Sequence, residues 1–304
     1  MILAAGLIAS RFVHYLALSV LFGGALFPFY GIAHEAGQPR TPAWLHALLR
    51  AAALLTLVSG VSWLAFTAAG MSGSISAIIE PATLSIVILQ TDFGRVWVIR
   101  LLLAAGLVVL LLGRRLGPQR FYAVLLASLI LLASIALTGH AGSDASSAAS
   151  VHRIADAFHL AAAGVWVGAL VILARMVVVA VLWRRDSDVR MLHDALSRFS
   201  TTGTAVVVIL FLSGILNPGF LASLKTAYGQ VLLGKLALFA GMLLLAAANR
   251  FWLTPRLASV LEAGTSSERP TRLLWASILA ETTLAGLVLL AAGWLGTLAP
   301  PARA

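Results

Sequence analysis

The chain has 304 residues, 61% of them apolar and only 11% charged, with a formal net charge of +10 and no cysteine; its mean hydropathy is +0.99. Ordinary domains are about a quarter charged, so a soluble globule is excluded and a polytopic membrane protein is indicated. Without cysteine there is no disulfide, thiolate metal site or cysteine nucleophile. The positive charge does not point to nucleic acid, because the basic residues sit in short connections between apolar runs.

In chain order, apolar runs of spanning length fall at about 12–33, 45–69, 94–113, 121–139, 157–182, 199–220, 229–253 and 272–297. Eight helices are expected, and the fold class is an all-α polytopic membrane protein. The first run, with Arg11 and His14 inside it and no basic n-region before it, reads as a retained span rather than a signal peptide. Between spans 2 and 3, residues 74–90 are too apolar for a solvated loop yet are broken by Glu80-Pro81. This segment is expected to lie on or dip into the interface.

Arginine and lysine set the orientation. The connections after spans 1, 3, 5 and 7 hold 14 of the 21 basic residues, among them Arg114, Arg115, Arg184, Arg185 and Arg269. Those connections are expected to be cytoplasmic, against anionic lipid, with both termini on the periplasmic side.

The two halves share short patterns. Thr91-Asp92-Phe93-Gly94 followed by Arg100-Leu101 parallels Thr226-Ala227-Tyr228-Gly229 followed by Lys235-Leu236. Leu57-Val58-Ser59-Gly60 parallels Phe211-Leu212-Ser213-Gly214, and His14 with Gly23 parallels His159 with Gly168. A parallel four-plus-four repeat is expected, with 1–139 as the first half and 140–304 as the second, together forming a single membrane domain.

The chemistry-bearing residues gather toward the outer side. His152, Asp156 and His159 have helical spacing on one face, where the fifth apolar run begins. His140 and Asp144 lie in the preceding outer loop, and His14 is the first-half counterpart of His159. Both His14 and His159 are expected in the first turns of their spans. Ionisable groups in a membrane usually mark a function, and imidazole with carboxylate suits copper, zinc or nickel. The metal set is therefore His14, His140, His152, Asp156, His159 and, near mid-membrane, Glu281. The bland alternative makes Asp156 a helix-terminal charge and His159 an interhelical hydrogen-bond partner. The five methionines form no paired ladder for Cu(I). His34, His46 and His193 stand among loop charges and read as interfacial.

Arg100 and Lys235 oppose a bare cation path and suit a different ligand, haem b, with His14 and His159 as axial ligands and the two cations near its propionates. Trp166 reads as a packing or interface residue. No phosphate loop, dinucleotide fingerprint, zincin motif or nucleophile elbow is present, so no enzyme is expected.

The run Asp156-Ala-Phe-His159-Leu-Ala-Ala-Ala-Gly-Val-Trp166-Val-Gly168-Ala-Leu170 resembles the hallmark helix of the copper-resistance D (CopD) membrane proteins. Arg198-Phe199-Ser200, Ser213-Gly214-Ile215, the stretch from Thr226 to Leu236, Asn249-Arg250, Pro255, Glu281 and Pro300-Pro301 strengthen the resemblance, which is best over 150–301. It implies a bacterial inner-membrane protein of eight helices, concerned with copper uptake or tolerance and served by a periplasmic copper-binding CopC-like partner.

Overall fold

The computed structural model describes residues 2–32, 42–113, 117–137, 148–215 and 226–298. The helices are α1 (Ile2–Gly31), α2 (Ala43–Ser72), α3 (Pro81–Gln90), α4 (Asp92–Leu111), α5 (Pro118–Ala133), α6 (Ala148–Trp183), α7 (Asp186–Ile215), α8 (Ala227–Ala248), α9 (Thr254–Glu262) and α10 (Glu268–Leu295). A 3₁₀ turn, Ser134–Leu137, extends α5, and a π turn, Asn249–Leu253, joins α8 to α9 in one continuous segment. Among the described residues, eight segments are long and apolar enough to cross a membrane, and all regular structure is helical.

The spans occur where the apolar runs place them, but several reach further. α6 starts at Ala148, nine residues before its apolar run, and α7 takes in Asp186 to Arg198. Polar residues are compatible with helix, so the hydrocarbon-length run marks the membrane and not the helix ends. His14 and His159 therefore stand about three turns inside α1 and α6, not in the first turns. The 36 residues of α6 cover roughly 54 Å at 1.5 Å per residue, against about 30 Å of hydrocarbon. The helix is therefore longer than the hydrocarbon is thick, and its polar start precedes the apolar run.

α1 and α6 form the centre. α1 packs on α2, α5, α6 and α10, and α6 packs on α1, α7, α5 and α10. They cross at Gly23 and Gly168. A Cβ on Gly23 would overlap the Gly164 carbonyl and approach the Gly168 Cα, and one on Gly168 would meet the Gly23 backbone. Only glycine allows backbones this close. The surrounding core holds Leu18, Leu21, Phe22, Leu49, Leu132, Leu170 and Ile172.

The segment after α2 is a 3₁₀ turn (Ile75–Ile78) followed by α3, which begins at Pro81, a favoured position for proline. Thr83 Oγ1 donates to the Glu80 carboxylate at 2.8 Å. Val87, Leu84 and Ile88 pack with Trp63 and Trp97, while Ile79, Ile86 and Leu89 remain exposed, as suits a helix lying in an interface.

On the opposite side Arg184, at the end of α6, pairs with Glu268 at 3.2 Å, and Arg272 pairs with the same carboxylate at 2.9 Å. Arg175 stacks over Trp44 at 4.1 Å. His46 Nε2, buried, donates to the Leu111 carbonyl at 3.1 Å, which satisfies the C-terminal end of α4.

Candidate metal site

His159 projects from α6 toward α7. Its Nδ1 lies 2.9 Å from Ser213 Oγ. Ser213 spends its one hydroxyl proton on the Ile209 carbonyl at 2.6 Å, so its oxygen can only accept from the ring. This network assigns the proton to Nδ1 in the neutral imidazole. Among the described residues Nε2 has no hydrogen-bond partner, so its lone pair is available. A ring whose other nitrogen donates to a fixed oxygen is the usual state of a metal-binding histidine.

His152 and Asp156 precede His159 on the same face of α6. Asp156 is within electrostatic range of His152, Lys235 and Tyr228, and Lys235 is within range of His159. Lys235 thus links the two: it lies within range of both Asp156 and His159. Asp156 offsets the Lys235 charge that would otherwise repel a cation.

The counterpart on α1 is built the same way and closed. His14 Nδ1 lies 3.0 Å from Ser59 Oγ and 3.1 Å from the Thr56 carbonyl. Ser59 donates to the Leu55 carbonyl at 2.5 Å, which again puts the ring proton on Nδ1. Here Nε2 accepts from Arg100 Nη2 at 3.1 Å. Arg100 lies 4.4 Å over the Trp97 ring, Trp97 Nε1 donates to the Gly60 carbonyl at 2.9 Å, and Trp63 meets His14 edge-on at 5.5 Å. His14 and Arg100 are 2% and 3% exposed. Both ring nitrogens are committed, which leaves His14 no lone pair for a metal.

Glu281, at 3% exposure on α10, belongs to a separate group. It accepts from Trp166 Nε1 at 2.9 Å and from Asn249 Nδ2 at 3.0 Å. Of the six residues expected to share a metal, the five that are described are spread over three places: His14 in an aromatic box, Glu281 against Trp166, and His152, Asp156 and His159 on α6. His140 lies outside the described residues. Among the described residues, no three His, Asp or Glu side chains converge as a metal cluster. Nor do the residues fit a haem held by His14 and His159: His14 Nε2 is occupied by Arg100, and the two rings face different helices, α2 with α4 and α7.

Ser59, Ser213, Trp166 and Asn249 act in these sites without having been singled out for it. An intramembrane acid needs donors, and the tryptophan and asparagine side chains of neighbouring spans were the available signal.

Residues 1–151 match the signature described as copper resistance protein D-like, N-terminal domain, and residues 193–295 match that of copper resistance protein D. Copper resistance protein D of Pseudomonas syringae pv. tomato is 34% identical over 304 residues, covering 98% of this chain and 97% of the relative. The chain belongs to the copper resistance D family. Inner membrane protein YebZ of Escherichia coli (strain K12) is 32% identical over 256 residues, 82% of this chain and 85% of the relative. Copper transport protein CutJ of Bacillus subtilis (strain 168) is 30% identical over 257 residues; the match covers 80% of this chain and 46% of that longer protein. No solved structure matches the chain. The family is copper-related and membrane-embedded, in keeping with the eight candidate spans.

Proposed function

We propose that this family member receives copper where α6 begins and passes it across the bacterial inner membrane, without catalysing a covalent change. His159 is the central ligand, with Asp156 and His152 on the same helix face and His140 in the preceding loop. Glu281, held by Trp166 and Asn249, stands apart from this site. The observation that carries the reading is the contrast between the two histidines: His159 has its Nδ1 fixed by Ser213 and its Nε2 without a hydrogen-bond partner among the described residues, whereas His14 has both nitrogens engaged. Imidazole and carboxylate are suitable ligands for copper.

The relatives support the cargo and the compartment, since one is described as a copper transport protein and another as an inner membrane protein. The receiving face is periplasmic and both termini lie on that side; the basic connections face the cytoplasm and its anionic lipids. A periplasmic CopC-like copper-binding protein is the donor. The two halves are parallel repeats, and the Gly23–Gly168 contact supports this, because equivalent residues can touch only at the axis that relates them.

The test is copper stoichiometry of detergent-purified protein by elemental analysis. His159→Ala should lose the bound copper, and His14→Ala should retain it while being less stable. Equal loss in both variants would return His14 to the site. Retention in both would remove the histidines from copper binding altogether.

A further inference from the structure

The second half contains a cavity that copper handling at α6 does not use. It has a volume of about 230 Å³ and lies between α6, α7, α10 and the α8–π turn segment. Its sides are apolar, formed by residues such as Leu170, Leu173, Phe199, Val207 and Leu243. Its polar lining is Glu281, Asn249 and Trp166 together with Ser200, Thr204, Thr254 and Arg250, whose Nη1 donates to the Ser200 carbonyl and to Thr204 Oγ1. α2 packs closely on α4 in the first half, whereas α7 and α8 make no comparable contact among the described residues. The cavity occupies that gap and is partly open.

The Asn249–Glu281 pair is rich in acceptors. Asn249, 7% exposed, gives its Nδ2 to Glu281, and its Oδ1 is buried with no partner among the described residues. Each Glu281 oxygen accepts one bond from the protein, and a carboxylate oxygen can accept two. Trp166 has already given its only donor to Glu281. A buried acceptor left unpaired is destabilising, so these groups call for a ligand that donates. The π turn places Asn249 there, and π turns inside helices are frequent at functional sites.

A metal ion would find one carboxylate and one amide oxygen among mainly apolar walls, too few ligands for a hard or borderline cation. A phospholipid has its polar head at the aqueous interface, so only an acyl chain could enter, and it has no hydrogen to give. Whole small-molecule pockets measure about 300–1,000 Å³. This one is smaller, as fits a ligand whose head is bound and whose tail stays in the bilayer.

We propose that this cavity binds a membrane quinol head first, with a phenolic hydroxyl donating to Asn249 Oδ1 or Glu281 and the apolar tail leaving between α7 and α8.

The experiment is equilibrium titration of the full-length protein in detergent with decylubiquinol, decylubiquinone and decylammonium. The quinol should bind about tenfold more tightly than the quinone, which accepts but cannot donate; this is the worth of roughly one hydrogen bond. Asn249→Leu should reduce that preference to threefold or less. Gly203→Leu should abolish binding of both, because Gly203 lines the cavity on α7 and a side chain there would fill it. That substitution leaves Glu281 and Asn249 untouched, so the proposal remains testable if Asn249→Leu fails to fold. Absent quinol binding, equal affinity for quinol and quinone, or unchanged binding in Gly203→Leu would overturn it. Tighter binding of decylammonium would also overturn it and assign the cavity to lipophilic cations. None of these outcomes depends on copper at His159.

Discussion

The Arg100 guanidinium reaches His14 Nε2 at 3.1 Å in a place nearly closed to solvent. It holds the position a metal would take on that ring. Two of its nitrogens, Nε and Nη1, have no hydrogen-bond partner among the described residues, so the stacking on Trp97 and the bond to His14 are its principal stabilising contacts there. Lys235 stands in the corresponding place on α8 but makes no such bond to His159 among the described residues. The difference should appear as coupling energy. A double-mutant cycle with His14→Ala and Arg100→Met, followed by thermal unfolding in detergent, should give about 1.5–3 kcal/mol, the worth of a buried hydrogen bond to a charged group. The cycle with His159→Ala and Lys235→Met should give below about 0.5 kcal/mol. Similar coupling in both pairs would erase the distinction between the closed and the open histidine. The residue types were legible from the sequence, since His14, His159, Arg100 and Lys235 could all be picked out. Which cation bonds its histidine was not, because that depends on contacts between residues as far apart as 14 and 100.

At the scale of helices, the crossing of α1 and α6 is the most constrained contact. A Cβ at Gly23 would have to displace the backbone of α6, which has no rotamer by which to move aside. Gly23→Leu should therefore cost at least the roughly 1–3 kcal/mol typical of overpacking, with a large loss of monodisperse protein on size exclusion. Gly106→Leu on α4, where an added Cβ meets nothing within 4 Å, should be tolerated. A normal yield of Gly23→Leu would mean that α1 and α6 are not in backbone contact. The spans themselves were legible because a membrane demands an uninterrupted apolar run. Their ends were not, because helix continues through residues such as Asp186, Asp188 and Arg190 once the apolar part is anchored. The cluster of Trp166, Asn249 and Glu281 was hidden for a related reason: it draws one residue from each of three segments, and no periodicity within a segment announces it.

For the whole molecule, sidedness decides whether the α6 histidines face the copper supply. The chain has no cysteine, so single introduced thiols report topology without background. Ser76, in the 3₁₀ turn before α3, and Ser266, between α9 and α10, are both exposed. A membrane-impermeant maleimide added to intact cells whose outer membrane has been made permeable should label Ser76→Cys. Ser266→Cys should react only after the inner membrane is broken. The reverse pattern would place the α6 histidines on the cytoplasmic side and remove the proposed route of supply.

The spans also differ in what surrounds them. In the most apolar stretches of α1 and α6, 67% of residues are buried within the protein, against 6% in the segment from Ala227 to Glu262. Lipid tails are about as apolar as leucine, so for that segment the bilayer acts as the packing partner that protein supplies elsewhere. Its environment is consequently replaced when the membrane is dissolved, while the pair at the centre keeps its own. The chain length of the detergent is then a structural variable for the α8 side of the molecule, and nearly none for the core.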